Sequence, residues 1–256
     1  GVLGLDALVI GEIGKRMAAG AHRSALSIGS ASVVASFATS AVLGLAFAVV
    51  APRLAQNYAA YFSGGVAQAV FAVGVGLTGA TFVFDRATIG LLRGGLQLTR
   101  NVVFAVAKLV LLPAVLLLPA LLPRADHTIY ALWAATTALS LLVVMPGVLS
   151  GFRWRSLVPD WRGLLAVLPQ GLGHSALNLA QHGPGLVIPV LVVWLFPPAI
   201  SAAFYVTWMP IVFAQSVPAN LTTTLYAVGS RDAAGLATKV TATVRLAALA
   251  SVGIIV

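Results

Sequence analysis

The sequence predicts an all-α protein, a polytopic bundle of transmembrane helices, and three observations lead there. Of 256 residues, 60% are hydrophobic and only 8% are charged, whereas a soluble globular domain carries about 25% charged residues. Mean hydropathy is +1.01, and the apolar residues fall into stretches about as long as the roughly 20 needed to cross a bilayer. The 15 Lys and Arg residues gather in alternate connections between those stretches, as the positive-inside rule requires of cytoplasmic loops. That distribution accounts for the net charge of +9 and the pI near 10.9 without a nucleic-acid partner. The chain has no Cys, which excludes disulfides and thiolate metal sites. No cofactor or metal is expected.

Taken in order, residues 1–10 read as the tail of a helix, followed by a short basic loop carrying Glu12, Lys15, Arg16, His22 and Arg23. Residues 25–50 form the first complete span. Its Ser27, Ser30, Ser32, Ser36, Thr39 and Ser40 suit close helix packing. Residues 52–61 make an outer loop with one cation, Arg53, and interfacial tyrosines. Residues 62–84 span back to a second basic connection with Asp85, Arg86, Arg93 and Arg100. Residues 101–122 cross with Lys108 two turns in, residues 123–127 turn outside, and residues 128–150 return. The next connection holds Arg153, Trp154, Arg155, Trp161 and Arg162, a basic and aromatic set typical of a cytoplasmic interface.

Residues 164–196 exceed one ordinary span. Two crossings there would put Arg231, Lys239 and Arg245 outside, whereas one long helix, bent or broken near Gly183 and Pro184, keeps them inside with Arg16, Arg93 and Arg155. One helix is therefore predicted, with residues 199–228 returning and a further span beginning near 238. On this topology thirteen of the fifteen cations lie on or near the cytoplasmic side, and only Arg53 and Arg124 are external. Gly14–Gly20 and Gly229–Gly235 agree at five of seven positions and stand an even number of crossings apart. That implies a parallel repeat, with two lobes related by an axis along the membrane normal. Residues 1–150 are assigned to the first lobe, 151–163 to a cytoplasmic connection and 164–256 to the second. The short apolar segments at both ends lead us to expect an internal piece of a longer chain.

The candidate site residues follow from polarity at membrane depth. Gln170, His174, Asn178 and His182 recur every four residues, with Gln181 beside them, so they share one slowly drifting face of a helix while Leu172, Leu177 and Leu179 point elsewhere. Polar groups inside a membrane face protein or water, which makes the stripe a candidate substrate path. Amides and imidazoles supply both donors and acceptors for sugar hydroxyls; interhelical hydrogen bonding is the plainer reading. Asn101 and Lys108 are seven apart and share a face. Lys108 either meets an anionic group as a compact cation or snorkels to the headgroups. Arg86, Arg93 and Arg100 recur every seven residues and suit guidance of an anionic headgroup, although topology alone explains them. Asp85 reads as a helix-end partner of Arg86 rather than a coupling carboxylate. Gln215, Asn220 and Thr222 to Thr224 are further cavity candidates, while Trp208, Pro210 and Pro218 read as packing and bending residues.

The run Phe84-Asp85-Arg86-Ala87-Thr88-Ile89-Gly90-Leu91-Leu92-Arg93-Gly94, continuing through Arg100-Asn101 to Lys108-Leu109-Val110-Leu111-Leu112-Pro113, resembles the polysaccharide-flippase branch of the multidrug/oligosaccharidyl-lipid/polysaccharide (MOP) exporter superfamily. Ala202-Ala203-Phe204-Tyr205-Val206-Thr207-Trp208 is similar to that family's eighth helix. The resemblance extends over nearly the whole chain, from the end of the second family helix into the ninth, and implies a two-lobed, MOP/MATE-like transporter working by alternating access. It further implies a lipid-linked oligosaccharide as cargo, a polyprenyl-pyrophosphate carrier, other polysaccharide-assembly proteins as partners, and a bacterial-type plasma (inner) membrane.

The runner-up is a multidrug exporter of similar architecture, which would favour aromatic and acidic groups for organic cations; only six acidic residues occur. An integral-membrane enzyme of polysaccharide assembly is the rival from another class. It would need a positioned base or metal carboxylates, and the sequence has no paired carboxylates, so no enzyme is expected.

Overall fold

The computed structural model describes residues 4–54, 61–62, 64–117, 125–150 and 154–229, with 240–241, 244–245 and 248 beyond them. Every long element among these is helical: α1 (Leu5–Ala18), α2 (His22–Leu54), α3 (Gly65–Gly90), α4 (Gly94–Leu117), α5 (Ala125–Leu149), a short 3-10 turn (Trp154–Leu157), α6 (Trp161–Leu195) and α7 (Pro198–Gly229). Four segments among the described residues are long and apolar enough to cross a membrane: His22–Arg53, Gly65–Gly90, Gly94–Pro113 and Tyr130–Leu149. The last expected span, from 238, lies almost wholly outside the described residues, as does all of the second repeat copy beyond Gly229.

The helix ends differ from expectation in ways that carry charge. Glu12, Lys15 and Arg16 stand on α1 rather than in a loop. The helix stops only where Gly20 takes φ 73°, Gly20 N–H donates to Met17 O and Ala21 N–H donates to Arg16 O, a Schellman ending. α3 likewise runs past the expected boundary and holds Asp85 and Arg86 within the helix. Its end has the same pattern, Leu92 N–H to Ile89 O and Arg93 N–H to Thr88 O, but the left-handed residue is Leu92 at φ 56°, a conformation that costs a non-glycine residue about 1–2 kcal/mol.

α6 is one helix of 35 residues, as the charge balance required. The break expected near Gly183 and Pro184 is absent, and helical structure continues through both. A glycine and a proline in a helix interior permit a break without imposing one, because neighbouring turns keep their own hydrogen bonds. At 1.5 Å per residue α6 extends about 52 Å, well beyond the roughly 30 Å hydrocarbon core. It starts at Asp160, whose Oδ1 accepts from Gly163 N–H at 2.9 Å, a side-chain N-cap.

Packing is closest between α2 and α3, where small residues let the backbones approach. A Cβ on Gly76 would stand 3.0 Å from Phe37 and Ala41, and one on Gly79 would collide with the Ser40 hydroxyl. Two hydroxyls of this seam bond to their own helix, Ser32 to Ile28 O and Thr39 to Ala35 O. The fully buried Ser36 hydroxyl has no hydrogen-bond partner. At the end away from the basic turns, Phe62 meets Phe71 edge to face with centroids 4.9 Å apart, and Phe71 stacks on Tyr130 at 5.3 Å. α1 lies against α2 and α3, α4 mainly against α5, and α6 against α1, α2 and α7.

Candidate functional site

Hydrogen bonds at the α3–α4 turn account for all three arginines of the seven-residue row. Arg100 is 7% exposed and grips Asp85 with both arms: Nε donates to Oδ1 at 2.7 Å and Nη2 to Oδ2 at 2.6 Å. This is the planar, two-bond geometry in which a guanidinium and a carboxylate bind best. Asp85 therefore pairs across to α4, not with its neighbour Arg86 as the sequence suggested, because Arg100 occupies both of its oxygens while Arg86 is turned toward α7. Arg86 points instead to α7, where Nη1 donates to Thr223 Oγ1 at 2.9 Å, its guanidinium carbon 5.6 Å from the centre of the Phe82 ring. Arg93 reaches the end of α5 and donates to Gly147 O at 3.1 Å and Ser150 O at 3.2 Å, satisfying carbonyls that the helix terminus leaves open.

Above this network lies a cleft of about 380 Å³ between the α3–α4 turn and α7. Gln97 and Asn101 of α4 face Asn220 and Thr224 of α7 across it, and Leu92 and Leu98 supply apolar wall. Arg100 Nη2 donates to Asn101 Oδ1 at 2.7 Å, so the Asn101 amide has its acceptor occupied and keeps its N–H groups to donate. Thr224 Oγ1 donates to Asn220 O at 2.9 Å, which leaves its lone pairs to accept. The cleft thus offers neutral donors and acceptors. No carboxylate is among its described lining residues, and Asp85 is engaged by Arg100. Gln97 was not singled out from the sequence, although it stands one turn before Asn101 on the same helix face.

The other predicted residues are more dispersed. Lys108 is half-buried, its Nζ 5.0 Å from the Phe104 ring centre, a cation–π distance. Gln170 is exposed on α6. The side chains of His174, Asn178, Gln181 and His182 lie outside the described residues, as does that of Gln215. What α6 does settle is which face meets α1: a Cβ on Gly4 would run into the Gly171 carbonyl and come within 2.7 Å of Ser175 N. The stripe that begins at Gln170 stands about 100° around the helix from that face. Because α4 packs mainly on α5 and α6 on α1, α2 and α7, Lys108 and the stripe are on helices with no extensive mutual contact.

A second hollow, about 480 Å³, is lined by His22, Arg23, Ser24, Ser27 and Asp160 at the α1–α2 turn. Its polar groups serve structure. Arg16 Nη1 donates to Ser24 Oγ at 2.6 Å and stands 3.8 Å from Asp160 Oδ2, Asp160 N–H donates to Ser27 O, and Ser30 Oγ donates to Leu157 O at 2.7 Å. These bonds fasten the connection before α6 onto α2. The sequence contained the signal for this in Asp160, which stands three residues before Gly163 at a helix start.

The chain matches no protein-family model, no curated protein and no solved structure.

Proposed function

We propose that the protein is a membrane transporter that flips a lipid-linked oligosaccharide, a polysaccharide or lipopolysaccharide precursor, from the cytoplasmic to the outer leaflet by alternating access. The observation that carries this reading is the cleft in which Gln97, Asn101, Asn220 and Thr224 converge, set among helices whose outer faces are apolar, such as Leu109, Leu142 and Val206. Neutral amides and a hydroxyl match the alternating donors and acceptors of a saccharide, while the lipid tail of such a cargo needs only the surrounding bilayer. The cleft joins helices assigned to the two lobes, where an alternating-access carrier holds its cargo. The sequence resemblance to the polysaccharide-flippase branch supports the same cargo. A cation exporter is the weaker reading, because Asp85 is held by Arg100 in two bonds and offers no open counter-ion to an organic cation.

In this reading the stripe of Gln170, His174, Asn178, Gln181 and His182 and the cation of Lys108 extend the polar route beyond the cleft. The test is complementation of surface-polysaccharide export in a flippase-deficient strain by the complete protein, with membrane abundance measured for every variant. Loss of one hydrogen-bonding group weakens apparent affinity roughly fivefold, or about 1 kcal/mol, so the Gln97→Ala, Asn101→Ala, Asn220→Ala triple variant should export poorly at normal abundance. Normal export by it would refute the cleft as the cargo site. Normal export by the His174→Ala, Asn178→Ala, Lys108→Gln triple variant would remove the stripe and Lys108 from the route.

A further inference from the structure

The contacts between α1–α5 and α6–α7 gather in the half of the molecule that holds the basic turns. They include Arg16 to Asp160, Ser27 and Ser30 to residues 156 and 157, Gly11 against the Tyr226 hydroxyl, and Arg86 to Thr223. In the opposite half, α6 and α7 carry exposed apolar side chains, among them Trp194, Leu195, Val206 and Met209. Between α3 and α7 the meeting is slight, and the Arg86–Thr223 bond is one of the contacts that join them. We propose that this bond is a latch that holds α7 against α3 at the base of the cleft, and that the Asp85–Arg100 pair aims it. The latch rests on the transport reading only for its purpose, since a carrier must part these helices at one stage of its cycle.

The aiming follows from geometry. Asp85 and Arg86 are adjacent, and a free Asp85 carboxylate would compete with Thr223 for the Arg86 guanidinium, an ionised acceptor being the stronger partner. Arg100 removes that competitor by occupying both carboxylate oxygens at 2.6 Å and 2.7 Å. The stem of Arg86, close to the Phe82 ring, is then directed at α7. Loss of Arg100 therefore weakens the latch at a distance, and loss of Asp85 as well restores it. A merely structural ion pair has no such effect on α7.

The absence of native cysteine provides the assay. Ala227 lines the cleft on α7 and is fully buried, so an Ala227→Cys reporter reacts with N-ethylmaleimide only when α7 moves away. Ala48, fully buried between α2 and α3, provides an Ala48→Cys control. One hydrogen bond to a charged group is worth roughly a factor of ten in the equilibrium between joined and parted states. Thr223→Val and Arg86→Gln should each speed labelling at 227 about tenfold, and their combination should add nothing further. Arg100→Met should also speed it, and Asp85→Asn with Arg100→Met should return it to the parent rate. Throughout, the control at 48 stays slow. Unchanged labelling at 227 in both Thr223→Val and Arg86→Gln overturns the latch, and so does equal acceleration at 48, which would mean general loosening. Faster labelling at 227 alone with unaltered polysaccharide export would keep the latch and count against the transport reading.

Discussion

Replacing Arg100 by Met tests whether the Asp85–Arg100 pair is held as the geometry implies. The substitution keeps much of the side-chain volume and removes both bonds to Asp85 and the one to Asn101. With side chains only 8% and 15% exposed, water cannot easily take over, and breaking a buried pair from one side costs about 3–5 kcal/mol because a charge is left without its partner. Nearby Arg86 offsets some of that, so the lower end, about 3 kcal/mol, is expected. For a chain of this size 1 kcal/mol corresponds to roughly 2–4 °C, which puts the fall in Tm at about 10 °C. Asp85→Asn should lose somewhat less, since an amide still accepts from Arg100. The double variant Asp85→Leu, Arg100→Met should recover most of the loss, since replacing both ions by apolar groups is near neutral. The assay is thermal unfolding of the detergent-purified protein, with all variants at one protein and detergent concentration. An Arg100→Met variant that melts within 2 °C of the parent, or a double variant whose loss equals the two single losses added, would refute the argument that these groups are mutually dependent.

Gly79→Ala should destabilise by about 1–3 kcal/mol through overpacking against Ser40, and adding Ser40→Gly should rescue part of it in the same melting assay. Leu92→Gly relieves a left-handed residue but adds glycine's unfolded-state freedom, so Tm should stay within a few degrees, whereas β-branched Leu92→Val should lose about 1–2 kcal/mol. Arg93→Gln leaves the carbonyls of Gly147 and Ser150 to solvent, and amide hydrogen exchange over residues 145–150 should quicken several-fold, with little change in α2. A cysteine at position 155 should react with an impermeant maleimide from the cytoplasmic side alone; labelling from outside would refute α6 as a single crossing.

Much of the helical plan was legible because the forces that set it are local. A run of apolar residues long enough to span a bilayer must satisfy its own backbone hydrogen bonds, and in lipid that leaves the helix. The expected span at 25–50 thus falls inside α2, and those at 62–84 and 128–150 coincide with α3 and α5 to within three residues at the ends where they overrun them. Boundaries were less legible, because helices run past the apolar stretch until a turn can be closed: α1 continues through Lys15 and Arg16 to Ala18 before the turn at Gly20, and α3 through Asp85 and Arg86 to Gly90 before the turn at Leu92. The break expected in α6 failed for a related reason. Proline weakens one rung of the ladder, and the helical hydrogen bonding of the 35-residue helix continues on both sides of it.

By itself, then, the sequence determined an all-helical chain with membrane-length apolar segments, which residues are polar within them, and the single-helix nature of the stretch 164–196, all consequences of hydrophobicity, charge asymmetry and backbone satisfaction along the chain. Only the tertiary structure decided who partners whom. Asp85 has a cation beside it in sequence, yet its partner is Arg100 fifteen residues on, and Arg86 finds Thr223 across 137 positions. Gln97 and Asn101 meet Asn220 and Thr224 in one cleft for the same reason. Side-chain direction on a helix fixes only the face, whereas the distance and orientation of the neighbouring helix decide which groups on that face come within the 3 Å or so that a hydrogen bond requires.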